Sequence, residues 1–202
     1  MNNFDLIDYA VPKGGFYNVV GMKNGKPFPK FTASKEEAYD IANELSKQGL
    51  NVYFALGKLK KSGNRQKDNI ESLGAIWLDI DCGSRKAEEI EPSTGLPKGY
   101  ATQKEGSIAL KKFCDIVGLP TPVIVNSGYG FHIYWAFTEE VPTEKWIPIA
   151  DRLKQICVTQ GFRADPSVFE PTRILRVPNT YNHKKAKPKL VEVILSSAER
   201  YA

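Results

Sequence analysis

Residues 122–137, PVIVNSGYGFHIYWAF, set two apolar runs on either side of a glycine turn. β-branched and aromatic residues fill both arms, so the segment reads as strands over 122–127 and 131–137 joined around Gly128-Tyr129-Gly130. A hairpin makes antiparallel neighbours, whereas parallel neighbours need a crossover of a dozen or more residues. A purely parallel, doubly wound sheet is therefore disfavoured. Alternation along the second arm puts Phe131, Ile133, Trp135 and Phe137 on a buried face. His132 and Tyr134 fall on the other face, which is expected to look outward.

A third apolar run, GAIWLDI at 74–80, continues as WLDIDCG and carries Asp79 and Asp81 inside it. An ionised carboxylate is costly to bury unless it is paired or bound to a cation. The two-residue period groups Trp77 with both acids and sets Ile76, Leu78 and Ile80 opposite them. The second group is expected to face the core, leaving the carboxylates together on an accessible face. Two carboxylates this close raise one another's pKa unless cations intervene. A divalent ion of the Mg²⁺ type resolves the conflict, because it takes a few carboxylate oxygens together with substrate phosphates. So does a turn at Asp81-Cys82-Gly83 with Asp79 paired to a lysine. The short D-x-D pattern leaves both readings open.

The remaining elements follow from local signals. Residues 15–22 read as a strand and NGKP as a turn. Ser34 and Glu37 form a capping box for a helix to about Gln48, with Ala38, Ile41, Ala42 and Leu45 at helical spacing and Gly49 as its stop. Residues 51–56 are a second strand. Residues 83–101 mix Gly, Pro and charges without a period and read as a mobile loop. Thr102 and Glu105 open another helix to about Val117. A helix over 143–160, a short strand over 172–177 and a last strand over 190–195 complete the pattern. SSAERYA at the end starts like a helix and stops, which points to a chain cut from something longer. The irregular alternation, with its hairpin, gives an α+β class: a mixed, largely antiparallel sheet with flanking helices.

Composition removes several function classes. The 202 residues suffice for one sizeable core. No apolar run is long enough to span a bilayer, and MNNFDLIDYA lacks the basic start and apolar stretch of a secretory signal. Cys82, Cys114 and Cys157 form no C-x-x-C pair, so neither a zinc knuckle nor a disulfide framework is indicated and an intracellular, reducing compartment fits. With only His132 and His183, the chain lacks the His-hydrophobic-His motif of a rolling-circle nickase. The net charge of +5 is concentrated in KLKKSGNRQK (Lys58, Lys60, Lys61, Arg65, Lys67) and HKKAKPK (Lys184, Lys185, Lys187, Lys189). Two such loops suit a polyanion such as nucleic acid; solvated loops are the plain alternative.

Two further segments carry chemistry. In SGYGFH, the small residues Ser127, Gly128 and Gly130 let backbone N–H groups approach a phosphate, with His132 positioned to donate to an anionic oxygen; a bare hairpin turn with a surface histidine is the alternative. In ADPSVFEPTRILRVPNTYNHK, Asp165 lies in a Pro-containing loop, Arg173 and Arg176 flank Ile174-Leu175, and Asn182, His183 and Lys184 follow a Pro178-Asn179 turn. A carboxylate beside guanidinium and ammonium groups suits a site for metal and triphosphate, or an ion-paired surface loop. Glu170 competes with Asp165 as the acid.

Taken in order, LDID at 78–81, SGYGFH at 127–132 and Asp165 with RILRVPNTYNHK at 173–184 resemble the archaeo-eukaryotic primase superfamily. Within it the likeness is to the primase–polymerase domains of phage and plasmid replication proteins. Those carry an hhhDhD strand, an S-x-H-type motif often written SGxGxH, and a third acid. The resemblance covers about residues 50–185, and the N-terminal strand–helix–strand is compatible with it. It implies an RRM-like primase–polymerase core in one catalytic domain over 1–202, with an N-terminal αβ part (1–70) and a part carrying the metal and nucleotide site (71–202).

The resemblance further implies that Asp79, Asp81 and Asp165 are the catalytic acids and hold two divalent ions, Mg²⁺ or Mn²⁺. It places Ser127, Gly128 and His132 at the triphosphate of an incoming nucleotide, and Arg173, Arg176, Asn182 and Lys184 at further phosphate contacts, where the match is looser. The implied activity is a template-dependent nucleotidyltransferase of DNA replication, a DNA primase or DNA polymerase. Its partners would be single-stranded DNA, nucleoside triphosphates and a helicase in the same chain or in trans, without a membrane. Lys58, Lys60, Lys61, Arg65 and Lys67 are the candidate template contacts. The competing classes are a non-catalytic single-stranded nucleic-acid-binding module and a metal-dependent nuclease using the same acids.

Overall fold

The computed structural model describes residues 5–202. Asp5 accepts a hydrogen bond from the Asp8 amide and opens a short helix, α1 (Leu6–Ala10). β1 (Tyr17–Lys23) turns at Asn24-Gly25, both left-handed, into β2 (Lys26–Thr32); Asn-Gly is the pair a tight hairpin favours. Ser34 caps α2 (Lys35–Lys47) by accepting from the Glu37 amide, and the helix buries Ala38, Ala42 and Leu45. β3 (Asn51–Ala55) and β4 (Gly57–Leu59) follow. The long β5 (Ile70–Cys82) carries both central acids and leads into α3 (Ser84–Glu88) and β6 (Gly99–Tyr100). α4 (Gln103–Val117) is capped by Thr102 and ends at Gly118 in the left-handed region. The hairpin is β7 (Val123–Asn126) and β8 (Gly130–Pro142). α5 (Thr143–Thr159), β9 (Ile174–Arg176), β10 (Tyr181–Asn182), β11 (Lys189–Leu190) and β12 (Glu192–Leu195) complete the chain.

Two sheets result. The main one has the order β12-β7-β8-β5-β4 with antiparallel neighbours, and β6 adds a short parallel pairing on β5. The second, wholly antiparallel, has the order β2-β1-β3-β9. The mixed, largely antiparallel α+β class is as expected. Register fixes the site: Trp77 pairs with Tyr134, Asp79 with His132 and Asp81 with Gly130. The side chains of Trp77, Asp79, Asp81, His132 and Tyr134 therefore share one face of the main sheet.

That face is not open along its length. Trp77 and Tyr134 are fully buried and His132 is 4% exposed. Trp77 stacks on Trp146 of α5 at 4.7 Å, and its indole N–H donates to the Val168 carbonyl at 2.8 Å. Only toward Asp79 and Asp81 does the face open, into a cleft whose other wall is Tyr53, Ile174 and Arg176 of the second sheet. The expectation of an accessible acid face and an outward His132 is corrected accordingly. Alternation sorts residues onto faces but does not reveal that a second sheet covers one of them. Gly106 of α4 lies against Ile80 and Phe131 on the opposite face.

Two other expectations change. Residues 83–101 contain α3 and β6 rather than only a loop, because the Gly83 and Cys82 strand end pairs with Gly99 and Tyr100. The last residues form no helix: the Tyr201 amide donates to the Ala136 carbonyl and the Tyr201 carbonyl accepts from the Thr138 amide. No helix among the described residues is long and apolar enough to cross a membrane.

Candidate active site

The three acids meet. After α5 the chain returns beside β5, where the Asp165 amide donates to the Asp79 carbonyl at 2.9 Å. An Asp-Pro-Ser turn holds the Asp165 side chain: its Oδ1 accepts from the Ser167 amide at 2.9 Å and the Ser167 hydroxyl at 2.7 Å. Arg173 then joins two of the acids, its Nη2 donating to Asp165 Oδ2 at 2.9 Å and to Asp79 Oδ2 at 3.3 Å. Lys86 of α3 donates to Asp81 Oδ2 at 2.6 Å. Each acid thus has a basic partner, but the alternative of a turn at Asp81 with Asp79 on a lysine is corrected: Asp81 stays within β5 and holds Lys86, and Asp79 pairs with Arg173. Glu170 is exposed and lies outside the cleft, lining a separate depression with Lys67 and Thr172.

The cations do not fully offset the crowding. Burial, reinforced by Asp81 and Asp165 and opposed by Arg173, pushes Asp79 up to about 7. Burial would raise Asp165 too, but the Ser167 hydroxyl and amide together with Arg173 outweigh it and hold that carboxyl below its usual range. Burial, with help from Arg176 and Arg173, pushes His132 down to about 3, so the imidazole is neutral at working pH. Its Nε2 stands 3.9 Å from Asp79 Oδ1, and its buried Nδ1, like the Tyr134 hydroxyl, has no hydrogen-bond partner.

The glycine turn joins β7 to β8 beside the acids, on their own sheet. Gly128 adopts φ 96°, and a Cβ there would sit 3.2 Å from Asn182 and Lys189, so only glycine fits. Its amide donates to Asn126 Oδ1 at 2.9 Å, and the Ser127 amide donates to the Gly130 carbonyl at 3.0 Å. Those amides are engaged within the turn, which corrects the expectation that they cradle a phosphate. Asn182 is buried and likewise engaged, donating to the Ser127 carbonyl at 2.7 Å and accepting from the Lys184 amide at 3.0 Å. It ties the turn to the β10–β11 hairpin. Ser127, Arg176 and Lys184 line the cleft, whose volume is about 240 Å³. Arg176 lies 4.7 Å over the Tyr53 ring and donates to Asn51 Oδ1 at 2.8 Å.

The comparisons with known proteins can be set against this geometry. No family model matches the chain. A curated replication protein of Clostridium perfringens is 27% identical over 164 residues, which is 80% of this chain and 36% of the relative. The chain therefore spans about a third of that relative's length. Among solved structures, the archaeo-eukaryotic primase domain of the cyanophage S-2L primase–polymerase matches with a TM-score of 0.62 at 18% identity, covering 93% of this chain and 84% of that one. Primase RepB′ matches at 0.58 and 12% identity, covering 93% and 54%. The RepB′ catalytic domain in complex with initiator DNA matches at 0.58 and 10% identity, covering 93% and 80%. This chain has the primase–polymerase fold.

On the primase–polymerase fold, the first basic loop divides into partly buried and exposed charges, and among the exposed ones Lys60 donates to the Asp68 carbonyl at 2.9 Å. Lys58 lies in β4, where its ammonium is held by Glu140 at 3.1 Å and Glu71 at 3.8 Å. Arg65 is half-buried and donates to the Thr172 carbonyl and Asn18 Oδ1, both at 2.8 Å. Lys60, Lys61 and Lys67 are exposed. Reading the sequence missed Tyr53 on the wall of this cleft, and Lys86, Ser167 and Asn51 as hydrogen-bond partners of Asp81, Asp165 and Arg176. Of these only Ser167 had a local signal, the Asp-Pro-Ser turn.

The donor set suits a hard divalent cation. All three acids offer oxygen, which favours Mg²⁺ or Mn²⁺ over soft metals, and Asp81 and Asp165 add to burial in raising the Asp79 carboxyl, a crowding of acids that a cation relieves. Among the described residues, no three of His, Cys, Asp and Glu are drawn tightly enough to close around one ion; the Arg173 guanidinium stands between two of the acids.

Proposed function

We propose that this chain is the catalytic domain of a template-dependent nucleotidyltransferase of DNA replication, a DNA primase, a DNA polymerase or both. The observation that carries the reading is the convergence of Asp79, Asp81 and Asp165 with His132, Arg173, Arg176 and Lys184 around one cleft. The primase–polymerase and RepB′ neighbours, and the replication protein among the relatives, support the same reading.

In the reaction a 3′-hydroxyl oxygen attacks the α-phosphorus of a nucleoside triphosphate. The new P–O bond forms as the bond to pyrophosphate breaks, and the hydroxyl proton is released. Asp79, Asp81 and Asp165 would hold two divalent ions, Mg²⁺ or Mn²⁺, which when bound supply charge stabilisation at the attacking and leaving oxygens. Arg176 and Lys184 bind the triphosphate oxygens from the opposite wall. Neutral His132 donates one hydrogen bond and fixes the nucleotide without adding charge. Ser127 orients the phosphates through its hydroxyl. Single-stranded DNA is the template, which the RepB′ domain solved with initiator DNA supports, and a helicase acts with the domain in the same chain or in trans.

The test is a reaction on circular single-stranded DNA, both primer-free and with an annealed primer, with Mg²⁺ or Mn²⁺, comparing ribo- and deoxyribonucleoside triphosphates. Labelled product is expected with the wild type and none with Asp79→Asn. Equal product from that variant overturns the assignment. Strand cleavage without triphosphates would identify a nuclease, and DNA binding with neither product nor cleavage a passive module.

A further inference from the structure

The Arg173 guanidinium occupies ground that the acids need. Its Nη2 is within hydrogen-bonding distance of both Asp165 Oδ2 (2.9 Å) and Asp79 Oδ2 (3.3 Å). A Mg²⁺-class ion binds its oxygens at about 2.0–2.1 Å, so the nitrogen and an ion shared by these two carboxylates exclude one another. The guanidinium is also imperfectly matched where it stands. Nη1 donates to the Ser167 hydroxyl at 2.9 Å, but Nε is buried without a partner. Arginine meets a planar or tetrahedral anion best through two N–H groups along one edge. Here the Nε side of that edge is unused, and a phosphate would satisfy it. The remaining cleft cations, Arg176 and Lys184, line the wall where a triphosphate would lie.

We propose that Arg173 is an exchangeable counter-ion. In the metal-free protein it neutralises Asp79 and Asp165 and blocks the ion position between them. When metal and triphosphate enter together, its guanidinium moves from the carboxylates to the phosphate. The proposal rests on the nucleotidyltransferase reading above and adds an order to it. Metal alone must displace a bound cation and leave it unpaired, whereas metal with triphosphate gives that cation a new partner. Metal and nucleotide therefore bind with positive coupling, and Arg173 carries that coupling.

Calorimetric titration of the full chain with Mn²⁺, with and without a non-hydrolysable deoxyribonucleoside triphosphate, tests this on the wild type, Arg173→Gln and Arg173→Lys. Without nucleotide, Arg173→Gln is expected to bind Mn²⁺ roughly tenfold more tightly than the wild type, about 1.4 kcal/mol. The gain in Mn²⁺ affinity on adding the analogue should shrink by a similar factor. Arg173→Lys, which keeps the charge, should stay near the wild type in Mn²⁺ affinity; it also serves as the reference if the Gln variant folds poorly. In that case, Mn²⁺ binding to the Lys variant as coupled to nucleotide as in the wild type, with its bidentate edge gone, counts against the exchange. If Arg173→Gln binds Mn²⁺ no more tightly than the wild type, the counter-ion role is overturned while the function stands. If Asp79→Asn binds Mn²⁺ as the wild type does, the acids are not the metal ligands and the functional reading itself fails.

Discussion

Asp79 lies where fold and chemistry pull in opposite directions. The β5–β8 register sets it against buried His132 with Trp77 two residues away, and Asp81 and Asp165 crowd it. Its folded-state pKa of about 7 lies above the ordinary carboxylate value of 3.8. Between those two values the folded protein holds a proton that the unfolded chain has released, so stability falls as pH rises through that window. Replacing Asp79 by Asn supplies a neutral side chain of the same shape at every pH. The metal-free Asp79→Asn variant should melt a few degrees above the wild type at pH 7.5, on the order of 2 kcal/mol, and the two should converge by pH 4. Thermal melts across that range check it; a constant offset would locate the effect in packing. The placement of this residue beside His132 follows from strand alternation and a glycine turn, both local. Its pairing with Arg173, ninety-odd positions away in sequence, has no local signature.

The helices and the hairpin were legible because their signals sit within a few residues. Ser34 and Thr102 cap as their sequence spacing requires, and Gly118 stops α4 in the left-handed conformation. β6 gave no such signal. Two residues form a strand only because Gly99 comes so close to Asp81 that a Cβ there would lie 2.2 Å from the Asp81 carbonyl oxygen. α1 and β2 were equally unmarked, α1 being five residues long and β2 interrupted by Pro27 and Pro29, which only an edge strand tolerates. The same close approach governs the hairpin that carries His132. A Cβ on Gly130 would lie 2.0 Å from the Ile80 carbonyl oxygen, and backbone cannot yield as a flexible side chain does. Gly130→Ala is therefore expected to cost about 3 kcal/mol or more, or to force β8 away from β5 and part His132 from Asp79. A melting temperature within a degree of the wild type would show that the two strands can separate there without loss.

Across the whole molecule, the +5 charge does not act as one surface. Lys185 and Lys189 clasp the Tyr129 ring at 4.6 and 4.4 Å, Lys58 is paired within the main sheet to Glu140 and Glu71, and Arg65 ties its loop to Asn18 of β1 and to the Thr172 carbonyl. Within the first basic loop this leaves Lys60, Lys61 and Lys67 as the exposed cations. Counterion release makes binding to a single strand fall with salt by a slope of about 0.7 per phosphate neutralised. Replacing these three lysines by Ala should flatten the slope for an oligodeoxythymidine by about 2, with the melting temperature unchanged. Lys58→Ala should do the reverse: it removes the partner of Glu140 and lowers stability, but leaves the salt slope as it was. Fluorescence anisotropy titrations at several salt concentrations, run beside thermal melts, separate the two effects. If Lys58→Ala flattened the slope and the triple variant did not, the template would run along β4 and the loop would be a solvated surface.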